Sequence, residues 1–72
     1  MELTRRQTET LDAIQLFIDR HGYAPSTREL GAELGISSTS TIHGLLMQLK
    51  KKGRISWEPA QSRTLRVVQH AG

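Results

Sequence analysis

The chain contains no cysteine, which excludes disulfides and thiolate zinc sites as staples. Its three histidines, at 21, 43 and 70, lack the spacing of a metal motif. With 72 residues there is room for one domain, 1–72, and for a core near the small end of what folds unaided, so that core must be hydrophobic. No apolar run approaches the length of a membrane helix, and the start Met1-Glu2-Leu3-Thr4-Arg5-Arg6 has no signal-like stretch behind it. A soluble, cytoplasmic protein is expected. Enzymatic chemistry has little to stand on, because paired carboxylates, a nucleophile with its base and a phosphate loop are all missing. No cofactor is expected, and Ser38 with His43 reads as a helix-cap serine beside an outward histidine.

What the chain does have is an uneven distribution of charge. Residues 1–36 carry four basic side chains against six acidic ones, a balance of −2. Residues 37–72 carry Lys50, Lys51, Lys52, Arg54, Arg63 and Arg66 against Glu58 alone, a balance of +5. Positive potential is thus concentrated where phosphates could be met. A lone triple-lysine run is as readily a solvated surface, so the surrounding pattern has to decide.

That pattern is a succession of capped helices. Thr4-Arg5-Arg6-Gln7 fits a capping box, and Leu11, Ile14, Phe17 and Ile18 then fall on one helical face before Gly22 stops the helix. Pro25 imposes an extended approach to a second box, Ser26-Thr27-Arg28-Glu29, opening a short helix with the apolar pair Leu30 and Leu34 and a stop at Gly35. Ile36 should tuck into the core across the turn. Ser37 or Ser38 caps a third helix, 38–52, stopped by Gly53.

The third helix has two distinct faces. Ile42, Leu45, Leu46 and Leu49 form an apolar stripe, while Ser40, His43, Gly44, Met47, Gln48 and Lys51 fall opposite. A short capped helix, a tight turn and a longer helix with a small polar front together make a major-groove recognition unit. Gly44 stands out, since a mid-helix glycine costs about 1 kcal/mol relative to alanine. Either it is tolerated or it allows close approach to a partner, and the second is favoured here. Ser40, Thr41 and His43 would then supply donors, acceptors and a methyl group to base edges.

After Gly53 the period changes from 3.6 to 2. Ile55 and Trp57 alternate with Ser56 and Glu58, Pro59 to Ser62 has loop composition, and Leu65 and Val67 alternate with Arg66 and Val68. This predicts a β-hairpin over 55–68. Two strands alone are marginal, so Ile55, Trp57, Leu65 and Val67 should pack on the helices. For Trp57 this packing is preferred to base stacking. The fold class is therefore mainly α with a small β-hairpin, a winged helix-turn-helix of three helices and a two-stranded antiparallel wing. The hairpin tip would carry Gln61, Ser62 and Arg63 toward the DNA backbone or the minor groove.

The runs L-T-R-R-Q at the start, G-Y-A-P-S-T-R-E-L-G at 22–31, L-G-I-S-S-T-S-T-I-H-G-L-L at 34–46, L-K-K-K-G-R-I at 49–55 and S-R-T-L-R-V at 62–67 are specific in order and spacing. Together they resemble the N-terminal DNA-binding domain of the LexA repressor family, in the form typical of Gram-positive bacteria. The resemblance implies a third helix inserted in the major groove of a palindromic operator and repression of transcription, mostly of DNA-damage (SOS response) genes. It implies base reading by Ser38, Ser40, Thr41, His43 and Gly44. It implies backbone contacts by Thr27, Arg28, Lys51, Lys52, Ser62 and Arg63, with the more peripheral Gln48 beside them. Thr39 and Leu45 depart from the family pattern, which bears on the preferred base sequence. The family's C-terminal domain dimerises and cleaves its own linker with a serine and lysine pair, and nothing after Val68 is expected to supply either activity.

The partner expected is thus a double-stranded DNA operator, bound by two copies that pair through their own surface or on the DNA, or bound weakly by one. A reading of another class keeps the winged helix but makes it a protein-interaction module that modulates a host repressor or polymerase.

Overall fold

A computed structural model of the 72-residue chain describes residues 3–58 and 63–68. Thr4 opens the first helix, α1 (Arg5–His21), by accepting the Gln7 amide on Oγ1 at 3.1 Å while Gln7 Oε1 accepts the Thr4 amide at 3.0 Å. This reciprocal box satisfies amides that no helical carbonyl can reach. Gly22 ends α1, its amide donating to the Ile18 carbonyl at 2.8 Å. The same device starts α2 (Thr27–Leu34), where Ser26 Oγ accepts from Glu29 N at 3.2 Å and Glu29 Oε1 accepts from Ser26 N at 2.8 Å.

The turn out of α2 is closed by two backbone bonds, Ile36 N to Gly31 O at 2.9 Å and Gly35 N to Ala32 O at 3.4 Å. This Schellman geometry requires the left-handed conformation that Gly35 adopts, with φ of 69°. Its tightest position is Gly31, where an added Cβ would lie 2.7 Å from the Ile36 carbonyl oxygen. The turn therefore closes only over a residue without a side chain. It leads into α3 (Thr39–Lys51), whose first turn is capped by Ser38 Oγ accepting from Thr41 N at 3.3 Å. A second Schellman turn ends α3, with Gly53 N on Lys50 O at 2.9 Å and Arg54 N on Leu49 O at 3.0 Å.

The wing consists of β1 (Ile55–Ser56) and β2 (Arg66–Val67), antiparallel, with Ile55 opposite Val67 and Ser56 opposite Arg66. The alternation in the sequence suggests longer strands. The regular ladder stops early because the Glu58 amide donates to the Thr64 side chain, at 2.8 Å, instead of to a backbone carbonyl. β1 rests on α3 and β2 on α1.

Every helix and the wing contribute to one core. Ile14, Leu30 and Leu49 have no exposed surface, Ile42 and Ile55 have 1%, and Leu11, Ala24, Leu46 and Leu65 complete the cluster. Trp57 and Val67 pack partly buried against it, as do Leu34 and Ile36. Two apolar positions depart from the expected stripes. Phe17 is buried outside this cluster, its ring 4.2 Å from His21 and 5.8 Å from Tyr23, and Leu45 remains only half-buried. Two polar side chains are buried at positions that the helical period alone does not mark. Thr10 donates to the Arg6 carbonyl at 2.8 Å, and Gln7 is 95% removed from solvent, with 5% exposed. Among the described residues no helix is long and apolar enough to cross a membrane.

Candidate nucleic-acid interface

Burial of Ile42, Leu46 and Leu49 orients α3 so that its other face meets solvent. Ser40, Thr41, His43, Gly44, Met47, Gln48 and Lys51 are all exposed there. The helix has 13 residues, about 20 Å at 1.5 Å per residue, enough to lie along a groove that is about 12 Å wide. Ser38 stands at its start with its hydroxyl oxygen engaged by the Thr41 amide, which leaves its O–H available to donate outward. Nothing lies within 4 Å of where a Gly44 Cβ would sit. Packing inside the protein therefore does not explain that glycine.

Thr27, in the first turn of α2, shares one shallow hollow with Thr39, Ser40 and His43. Arg28 is exposed on the same helix. The structure thus gathers Thr27 and the N-terminal half of the α3 face, which are separated in the sequence by the whole of α2 and its turn. A cleft of about 260 Å³ continues from there, bounded by Ser26, Thr27, His43, Trp57 and Arg63.

The three consecutive lysines diverge. Lys50 Nζ stands 4.4 Å from the centroid of the Trp57 ring, a cation–π contact that joins α3 to the wing. Lys51 is exposed. Lys52 is half-buried and donates from Nζ to Gln7 Oε1 at 2.7 Å. Gln7 Nε2 in turn donates to Gln48 Oε1 at 2.8 Å. Gln7 therefore serves both as a cap residue of α1 and as a strut under the basic end of α3. Sequence reasoning found the first role and missed the second, because a bond spanning 41 positions leaves no local pattern.

Arg63, expected to reach for the DNA backbone, is held against the protein. Nη1 lies 2.7 Å from Glu29 Oε1, Nη2 lies 3.3 Å from Glu29 Oε2, and Nη1 also donates to the Ala24 carbonyl at 3.1 Å. The guanidinium stands 4.9 Å from the centroid of the Tyr23 ring. Hydrogen bonding from Arg63, followed by the Ser26 amide, lowers the Glu29 carboxyl from its ordinary 4.5 to about 2. The same pair raises Arg63 further above its already high value. Of the remaining expected wing contacts, Gln61 and Ser62 lie outside the described residues.

Three helices with a tight turn between the second and third, an exposed polar face on the third and a two-stranded wing packed beside it define a winged helix-turn-helix domain. Residues 1–64 match the family model described as LexA DNA binding domain. The chain belongs to this family. It is 43% identical over 67 residues to the LexA repressors of Staphylococcus epidermidis and Staphylococcus haemolyticus, and 42% identical to that of Bacillus mycoides. Each alignment covers 93% of this chain and 32% or 33% of the relative. The chain therefore spans about a third of the length of the curated relatives it matches.

Proposed function

We propose that this chain recognises an operator in double-stranded DNA and thereby acts as the DNA-binding part of a LexA-type transcriptional repressor. The observation that carries the proposal is the exposed face of Ser40, Thr41, His43 and Gly44, small and polar, on a helix that buries Ile42, Leu46 and Leu49 on the opposite side. Such a helix enters the major groove with its N-terminal half against the base edges. Ser40, Thr41 and His43 hydrogen-bond to bases or touch a thymine methyl, Ser38 donates at the helix start, and the bare Cα of Gly44 lets the backbone come close. Thr27 and Arg28 on one side, and Lys51 with the Gln7-supported pair Gln48 and Lys52 on the other, meet phosphates and set the register. Ser62 belongs to the proposed wing contacts, and repression follows from occupying the operator.

A single module of this size buries about 600–1,000 Å² of protein surface on one half-site, and two copies on a palindrome gain by effective concentration. We therefore assign the functional unit on DNA as a dimer. The matched family does not favour the alternative of a protein-interaction module.

Selection of bound duplexes from a random pool with the purified chain tests the proposal. Enrichment of a palindromic consensus supports it, and no enrichment sinks it. With the enriched duplex in hand, His43→Ala and Ser40→Ala should each cost about 1–3 kcal/mol against the consensus and little against a scrambled duplex. Lys51→Ala should weaken both duplexes alike and reduce the slope of log K against log salt by about one unit. Equal losses on both duplexes from the first pair would count against base reading.

A further inference from the structure

Arg63 has a backbone φ of 58°, the only positive φ at a residue other than glycine among the described residues. An arginine in this left-handed region is disfavoured by its own Cβ, so its surroundings must hold it there. They do so with the two oxygens of Glu29, the Ala24 carbonyl and the face of Tyr23. Glu29 is itself immobilised, because its Oε1 closes the capping box of α2 on the Ser26 amide. A continuous chain of polar contacts thus runs from the first turn of α2 to the return limb of the wing. The ladder of the wing is only two residues long on each side, and of its further polar contacts Thr64 on Glu58 lies within the wing and Lys50 over Trp57 leads to α3.

We infer that Glu29 is a positioning residue for DNA binding, acting through Arg63 to latch the wing at a fixed distance from the recognition face of α3. This rests on the proposed DNA-binding function and adds a residue that touches no DNA. The competing view is that Arg63 contacts a phosphate directly. The charges decide between them, because Arg63 could serve a phosphate fully only by leaving Glu29, whose carboxylate would then stand near the DNA uncompensated. Seated on Glu29, the guanidinium contributes geometry instead of net charge. The latch borders the same cleft as Thr27, His43 and Trp57, so a change in wing angle is felt beside the bases that α3 reads.

The two views predict opposite signs for one substitution. Glu29→Gln keeps a side-chain carbonyl for the Ser26 amide and adds a unit of positive charge. If Arg63 contacts phosphate, the variant binds the enriched duplex as well as the parent chain or more tightly. If Glu29 latches the wing, it binds about tenfold more weakly despite the favourable charge. Arg63→Lys separates the views again, since lysine retains the charge but cannot form the forked pair. The latch predicts a loss like that of Glu29→Gln, and a double variant no worse than either single one. Glu33→Gln, exposed one turn further along α2 in a hollow shared with Arg6 and Asp12, makes the same charge change away from Arg63 and should leave affinity unchanged or slightly raised.

Measurements are made where far-ultraviolet circular dichroism shows each variant fully helical, with the active fraction counted by stoichiometric titration. Trp57, the single tryptophan, reports the wing without DNA, and its emission should shift to the red in Glu29→Gln and Arg63→Lys but not in Glu33→Gln. Weaker, non-additive binding together with the red shift supports the inference. Undiminished binding by Glu29→Gln, or additive losses, overturns it while leaving the DNA-binding function in place. A parent chain that enriches no duplex overturns both.

Discussion

Helix α3 and the wing flank the same cleft, but they are held there by different forces. α3 is seated by apolar burial, with Ile42, Leu46 and Leu49 inside the core and a Schellman turn at its end. The wing has Ile55 and Leu65 in that core, but its free limb is fixed by polar side chains: Arg63 on Glu29, Thr64 on Glu58 and Lys50 over Trp57. Apolar burial carries no charge to be screened or titrated, whereas exposed ion pairs are weakened by screening salt and by protonation of their carboxylates. The domain thus sets a helix seated by apolar burial beside a wing limb held by polar contacts.

The largest effect should come from breaking the apolar seat of α3. Leu49→Ala should destabilise the fold by about 2–5 kcal/mol, measured by urea denaturation, which for a domain this small leaves a substantial unfolded population. A comparable change in the wing, Val67→Ala, should cost clearly less, since Val67 is only partly buried. Equal costs would show that α3 and the wing are seated by apolar burial alike. Next in size is Gly31→Ala, whose Cβ meets a backbone oxygen that cannot step aside, with an expected loss of about 1–3 kcal/mol by the same measurement.

Gly44→Ala sharpens the comparison in the opposite direction. With open space around the new methyl group, the free domain should gain about 1 kcal/mol of stability, while binding to the enriched duplex should weaken. A variant more stable and equally tight would mean that the glycine is merely tolerated. The smallest effect concerns acid. Because the folded-state pKa of Glu29 is lowered, its contribution is present above its ordinary value of 4.5 and is lost as pH falls through that value toward about 2. Thermal melts of the parent chain and of Glu29→Gln should therefore converge across that window, with a smaller difference at high salt because the pair is partly exposed. Identical pH profiles for the two chains would show that the pair carries no stability.

Elements governed by neighbours in sequence were legible without coordinates. Thr4 with Gln7 and Ser26 with Glu29 sit three residues apart, and a helix start brings such pairs together by its own geometry. The two faces of α3 followed equally from a period of 3.6, apart from Leu45 at the edge of the stripe. Less could be said of the glycines. Gly44 draws attention in the sequence because it interrupts a helix, yet Gly31 is the one that steric contact requires. Nothing local distinguishes them, since the atom that excludes a side chain at Gly31 arrives only when the turn closes.

The three capped helices, the apolar stripes that oblige them to pack, the hairpin after Gly53 and the polar face offered by α3 are all written in local pattern. Periodicity and capping are short-range, and a pattern of a few residues encodes them completely. The support that Gln7 gives Gln48 and Lys52, and the pairing of Arg63 with Glu29, 34 positions away, arise only when the helices and wing pack together. A polar side chain far along the chain has many possible partners, and packing of the core selects one by bringing two groups to hydrogen-bonding distance.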